Sequence, residues 1–151
     1  MTDGTIALAQ HLNSDRFAIR SAVTAIRNAF MQSNQQQLLA ASGAERRASA
    51  RVRLHVAVRI TAAVVDQPAE QVQAAGGPCI EAICRDISLG GIGLTHLAPL
   101  PGHHAIARFN IPDDEPVCLA VECVWSNRSE DGTWTSGVRI LGLTDGVRQL
   151  I

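Results

Sequence analysis

The sequence contains no lysine and no tyrosine, so all thirteen of its basic side chains are arginine. Aromatic residues make up only 3%, which argues against the row of stacking faces that single-stranded nucleic acid needs. A net charge of −1 excludes bulk electrostatic attraction to nucleic acid or to an anionic membrane, so any anion site must come from local clustering. No apolar run approaches the roughly 20 residues of a membrane-spanning helix. Asp3 comes early, with no basic start leading into an apolar run, so the expectation is a cytoplasmic protein without membrane insertion. Phosphate-loop and nucleophile-elbow patterns are missing. His11, His55, His96, His103 and His104 are scattered or sit in turn regions and are expected as exposed loop residues. Together these absences point away from an enzyme, a cofactor or a metal.

Four cysteines form two C-x4-C pairs, Cys79/Cys84 and Cys118/Cys123, inside strand-like runs. Residues five apart on a strand point to opposite faces, so regular strands cannot bring all four to one ion. Small buried core residues, reduced in the cytosol, are the better expectation.

What is present divides the chain in two. Residues 1–43 read as a helical extension. Asn13, Ser14 and Asp15 offer caps, and Ile19, Val23, Ile26 and Phe30 recur at helical spacing, flanked by Arg16, Arg20 and Arg27. An earlier short helix is expected over Ile6–Leu12. The apolar stripe has two destinations of equal weight, the chain's own barrel or a homodimer or partner interface. Residues 44–151 read as strands. Leu54, Val56, Val58 and Ile60 alternate with polar or small residues, and Ala105, Ala107, Phe109 and Ile111 form a further alternating set. Val117, Leu119, Val121, Cys123 and Trp125 form the longest alternation, and Trp134–Leu143 closes the set. A polar loop is expected from Asp66 to Pro78, ended by the Gly76-Gly77-Pro78 breaker. About six short antiparallel strands with regular turns imply a mainly β, closed or nearly closed barrel.

Two features carry chemistry. Arg47-x-x-x-Arg51, with Arg46 beside it, puts two guanidinium forks on one side of the chain, suited to phosphate or a guanine edge. Alone, such a pair is more often a solvated surface. In Asp86-Ile87-Ser88-Leu89-Gly90-Gly91, Asp86 and Ser88 share one face if the segment is a strand. Asp86 can accept from guanine N1–H and N2–H2, and the glycines permit a tight turn. Alone, this is more often an ordinary hairpin turn.

The two motifs, in this order and followed by a barrel, resemble the PilZ domain family, receptors for the bacterial second messenger cyclic di-GMP. Arg47-Ala48-Ser49-Ala50-Arg51 is similar to that family's R-x-x-x-R, and Asp86 to Gly91 to its D/N-x-S-x-x-G. Val124-Trp125 and Gly137-Val138-Arg139-Ile140 resemble its last two strands. The resemblance implies a six-stranded antiparallel barrel and a non-catalytic receptor that relays the signal to an effector protein in motility, exopolysaccharide or biofilm control. It implies that Arg46, Arg47 and Arg51 grip phosphate and guanine. It further implies that Asp86 and Ser88 bond a guanine edge, with Gly90 and Gly91 keeping the turn clear. The alternative within the family is a degenerate module that binds only proteins.

Overall fold

The computed structural model describes residues 10–30, 52–112 and 114–144. They contain β1 (Gln10–His11), α1 (Arg16–Phe30), β2 (Val52–Asp66), β3 (Gln71–Ile87), β4 (Gly91–His96), β5 (His104–Phe109), β6 (Val117–Arg128) and β7 (Trp134–Leu143). The strand order β3-β2-β5-β6-β7-β4 is closed by a further pairing of β4 with β3, every neighbour antiparallel. This is the six-stranded barrel with a helix N-terminal to it that the sequence implies. Closure leaves none of the six as an open edge.

Period-two alternation builds the interior. Leu54, Val56, Val58 and Ile60 are buried, while Arg53, His55, Ala57 and Arg59 face water. Ala105, Ala107 and Phe109 on β5, Leu119 and Val121 on β6, and Val138 and Ile140 on β7 fill the same core. Helix α1 completes it: Ala22, Val23 and Ile26 are buried in that cluster, and Ile19 and Phe30 pack against it. Burying one such aliphatic side chain is worth about 1.5–3 kcal/mol. Of the stripe's two destinations, the structure shows the chain's own barrel. The entry to α1 is fixed locally: Asn13 Oδ1 accepts from the Asp15 amide at 3.0 Å, and the Asp15 carbonyl accepts from Ile19 N–H at 3.0 Å.

The fold departs from the sequence reading in several places. Gln10–His11 is a strand rather than part of a short helix, paired with Gln71 and Val72 of β3. Leu12 then sinks into a second apolar cluster with Val72, Ile106, Cys118, Ala120 and Leu141, so non-local pairing and burial override local helix preference. The expected loop over Asp66–Pro78 is mostly strand. β2 runs to Asp66, a short turn with Glu70 at φ 52° follows, and β3 starts at Gln71. Gly76-Gly77-Pro78 does not break β3. Gly76 and Gly77, at φ 80° and 87°, absorb an irregularity between the Ala63–Ala74 and Thr61–Cys79 pairs.

Only Cys84 and Cys118 are core residues, Cys123 is half-buried and Cys79 is exposed. Burial, with the Asp86 charge adding to it, pushes the Cys84 thiol up to about 12, so it stays protonated. His96 is buried rather than a loop residue. Its Nδ1 lies 2.5 Å from the Ala98 carbonyl and therefore donates, leaving Nε2 to accept from Ser136 Oγ at 2.8 Å. The remaining segments of the expected extension, 1–9 and 31–43, and the expected closing turn, Asp145–Ile151, lie outside the described residues.

Candidate functional site

Two β-bulges create the outward face of the site. On β3, Ala82 and Cys84 point into the barrel, and unbroken alternation would carry Asp86 inward too. The register with β4 shifts between Cys84 and Asp86, so Ile87 is buried and Asp86 turns out, half-exposed. On β6, Leu119 and Val121 point inward, and a register shift against β7 between Cys123 and Trp125 turns Trp125 outward, 43% exposed. Sequence alternation placed Cys123 and Trp125 on the face of Val117 to Val121. The bulge is why the indole is not there.

The pairings then line up one row across five strands. Arg53 on β2 is opposite Asp86 on β3, which is opposite Gly93 on β4. Gly93 is opposite Gly137 on β7, and Gly137 is opposite Trp125 on β6. The two glycines form the floor. A Cβ on Gly93 would stand 2.8 Å and 2.9 Å from the Asp86 carboxylate oxygens, and one on Gly137 would collide with the Trp125 indole. The Asp86 carboxylate therefore lies over β4 and the Trp125 indole over β7, neighbouring strands about 4.8 Å apart. A carboxylate and an open aromatic face sit side by side, with the exposed Arg53 beyond the carboxylate. Gly93, Gly137 and Trp125 were missed as site residues by sequence reasoning. The signal was two glycines each next to a buried apolar strand position, Ile92 and Leu94 for Gly93 and Val138 for Gly137, which becomes legible only once register is known.

Ser88 does not share a strand face with Asp86, because β3 ends at Ile87 and Ser88 opens the turn to β4. It is 4% exposed, and its Oγ accepts from the amides of Gly90 and Gly91, both at 3.3 Å. Its own amide donates to the Gly91 carbonyl at 2.9 Å. Ser88 thus holds the turn rather than facing outward. The glycines separate as well. A Cβ on Gly91 would stand 2.7 Å from the Val138 carbonyl oxygen, whereas one on Gly90 would meet nothing within 4 Å. Gly91 is needed for the close approach of β4 to β7, and Gly90 is an exposed turn residue whose carbonyl accepts from Ile140 N–H at 3.2 Å. Arg46, Arg47 and Arg51 lie outside the described residues. Arg51 directly precedes Val52, which pairs with Ile87, the neighbour of Asp86.

A second polar cluster sits on the outer face of β5, β6 and β7. Glu122 Oε2 lies 3.1 Å from His103 Nε2 and 3.5 Å from His104 Nε2, while Arg139 pairs with Oε1. The ligand atoms of His103, His104 and Glu122 lie within 4.8 Å of one another, the one such group among the described residues. Arg139 already supplies a cation to this carboxylate. Burial works to raise the Glu122 carboxyl, but bonds from His103 and Arg139 and their charges outweigh it, and the net shift is downward. A depressed acid stabilises the fold only while ionised. Its contribution is complete above the ordinary value of 4.5 and is lost as acid titrates it through its lower folded value. Glu122→Gln should therefore lower stability at neutral pH by no more than about 1 kcal/mol, the scale of exposed pairs. It should also flatten the acid limb of stability against pH, as denaturant melts from pH 7 to pH 3 would read. An unchanged acid limb would show that the cluster contributes nothing.

Comparison with known proteins gives one family. The family model described as PilZ domain matches residues 45–151. A solved structure, the Bacillus subtilis inhibitor of motility MotI/DgrA, is similar over 69% of this chain and 46% of that one, with 17% identity and a TM-score of 0.43. The chain therefore spans less than half of that protein's length. No curated protein matches the sequence. Among the described residues no helix is long and apolar enough to cross a membrane.

Proposed function

The chain belongs to the PilZ domain family, and on that footing we propose that it is a non-catalytic receptor that binds cyclic di-GMP on the outer face of the barrel and relays the signal to an effector protein. The observation that carries the reading is the row Arg53–Asp86–Gly93–Gly137–Trp125 beside the Ser88–Gly91 turn. A guanine presents N1–H and N2–H2 donors on one edge and a flat π-face. A carboxylate lying beside an exposed indole over a floor without side chains suits both features. Arg51 enters this neighbourhood in sequence, since Val52 pairs with Ile87, and Arg46, Arg47 and Arg51 supply forks for the two phosphates. Ser88 and Gly91 act on the ligand indirectly, by fixing the turn and the closure of β4 on β7. A ligand that binds two conformations of the protein unequally shifts their populations, which is how a receptor without chemistry can signal.

The reading makes Gly93 a site residue although it touches no ligand. In Gly93→Ala the new Cβ displaces a side-chain tip rather than backbone, so the fold should hold within about 1 kcal/mol of wild type. The Asp86 carboxylate must move, and affinity for cyclic di-GMP should fall tenfold or more, about 1.4 kcal/mol. Titration followed by Trp125 fluorescence, with Trp125→Phe as the control for signal origin, reads both the affinity and the stacking. Gly93→Ala binding as tightly as wild type would remove Asp86 from the site.

A further inference from the structure

Helix α1 lies outside residues 45–151, so the family match implies nothing about it. Four of its side chains, Ile19 among them, nevertheless border the motif turn. A cleft of about 600 Å³ runs between Arg16, Phe17 and Arg20 on the helix and Leu89, Gly90 and Ile140 on the barrel. That volume falls in the range of small-molecule sites, about 300–1,000 Å³. Both walls are fixed. Val23 and Ile26 anchor the helix in the core, and the Ile140 amide donates to the Gly90 carbonyl at 3.2 Å.

The lining has the chemistry of an anion site. Arg16 and Arg20 are one helical turn apart, and both are exposed. Neither is in an ion pair among the described residues. The first turn of α1 holds no acidic residue, and the carboxylate that precedes it, Asp15, accepts from the Phe17 amide at 3.4 Å. Phe17, 75% exposed, sets an aromatic face at the same opening, in a chain with only five aromatic side chains of the Phe, Trp and Tyr kinds. Two unpaired forks and an open ring facing a cleft match a phosphate joined to a planar base.

We propose that α1 forms a second wall of the ligand site. In this arrangement Arg16 and Arg20 hold a phosphate of the anionic guanine dinucleotide, and Phe17 packs against its base. The inference rests on the receptor reading above. Its consequence is that the ligand bridges the helix and the β3–β4 turn, so binding adds a clamp to an element that the barrel already holds through its apolar stripe and through the Asn13–Leu143 pairing just before it. The N-terminal segment becomes part of the sensor rather than an appendage to it.

The test is calorimetric titration of cyclic di-GMP into the full chain and three variants. Arg16→Ala/Arg20→Ala should weaken binding at least tenfold while keeping the wild-type melting temperature, since neither side chain has a structural partner among the described residues. Arg27→Ala removes a charge from the same helix away from the cleft and should bind within twofold of wild type. Arg51→Ala reports on the receptor reading itself. If Arg51→Ala loses affinity and the Arg16/Arg20 variant does not, α1 is no part of the site and the receptor reading stands. If Arg27→Ala weakens binding as much as the double variant, the effect is one of overall charge and the proposal falls. If the wild-type chain takes up no ligand, both readings fall together.

Discussion

Arg51→Ala should lower affinity for cyclic di-GMP at least thirtyfold, about 2 kcal/mol, without changing the melting temperature. The magnitude is that of a charge-assisted hydrogen bond to phosphate lost from a partly desolvated site. The choice of residue follows from sequence and register: Arg51 immediately precedes Val52 in sequence, and Val52 pairs with Ile87 and Arg53 with Asp86. Arg51→Lys keeps the charge and loses the bidentate fork, and an intermediate affinity is expected. Calorimetry on the three proteins reads the series directly. Equal affinity for wild type and Arg51→Ala would show that the arginine motif does not hold the ligand.

Gly91→Ala should destabilise the barrel by about 1–3 kcal/mol, the cost of forcing a methyl group into closed packing. The group it meets is the backbone carbonyl of Val138, 2.7 Å from the new Cβ, and backbone cannot swing aside as a side chain can. β4 would have to part from β7 where the two close the barrel beside the ligand face. For a chain of this length the melting temperature falls by about 2–4 °C per kcal/mol. Gly90→Ala is the internal control. Its Cβ meets nothing within 4 Å, and Gly90 is absent from the glycines with positive φ. Alanine there should leave stability unchanged or slightly raised. Matched thermal melts of the two variants decide the point, and equal melting temperatures would mean that the β4–β7 approach yields more easily than its geometry says.

Much of the barrel was legible because alternation has a period that burial must obey. Leu54 to Ile60 and Ala105 to Phe109 face the core as their spacing requires, and β7 spans Trp134–Leu143 as read. What could not be read was every place where the period breaks. A bulge adds one residue and leaves no periodic trace, so the outward turns of Asp86 and Trp125 were invisible, although they shape the candidate site. Ser88 holds a turn instead of sharing a strand face with Asp86, because whether it ends a strand or opens a turn depends on where β4 pairs. Gly76-Gly77-Pro78 read as a terminator because glycine and proline usually are. A hairpin secured on both sides carries its ladder past them. The stripe on α1 announced that one face is buried but not against what, since the same residues suit a barrel or a partner.

The central claim is that this outer face recognises an anionic guanine dinucleotide, and calorimetric titration of cyclic di-GMP into the wild-type chain, with GTP as control, tests it most directly. The account predicts saturable binding of cyclic di-GMP with a defined stoichiometry and no comparable response to GTP. No heat and no thermal shift at high ligand concentration would contradict it and would leave a PilZ module whose surface serves protein partners alone.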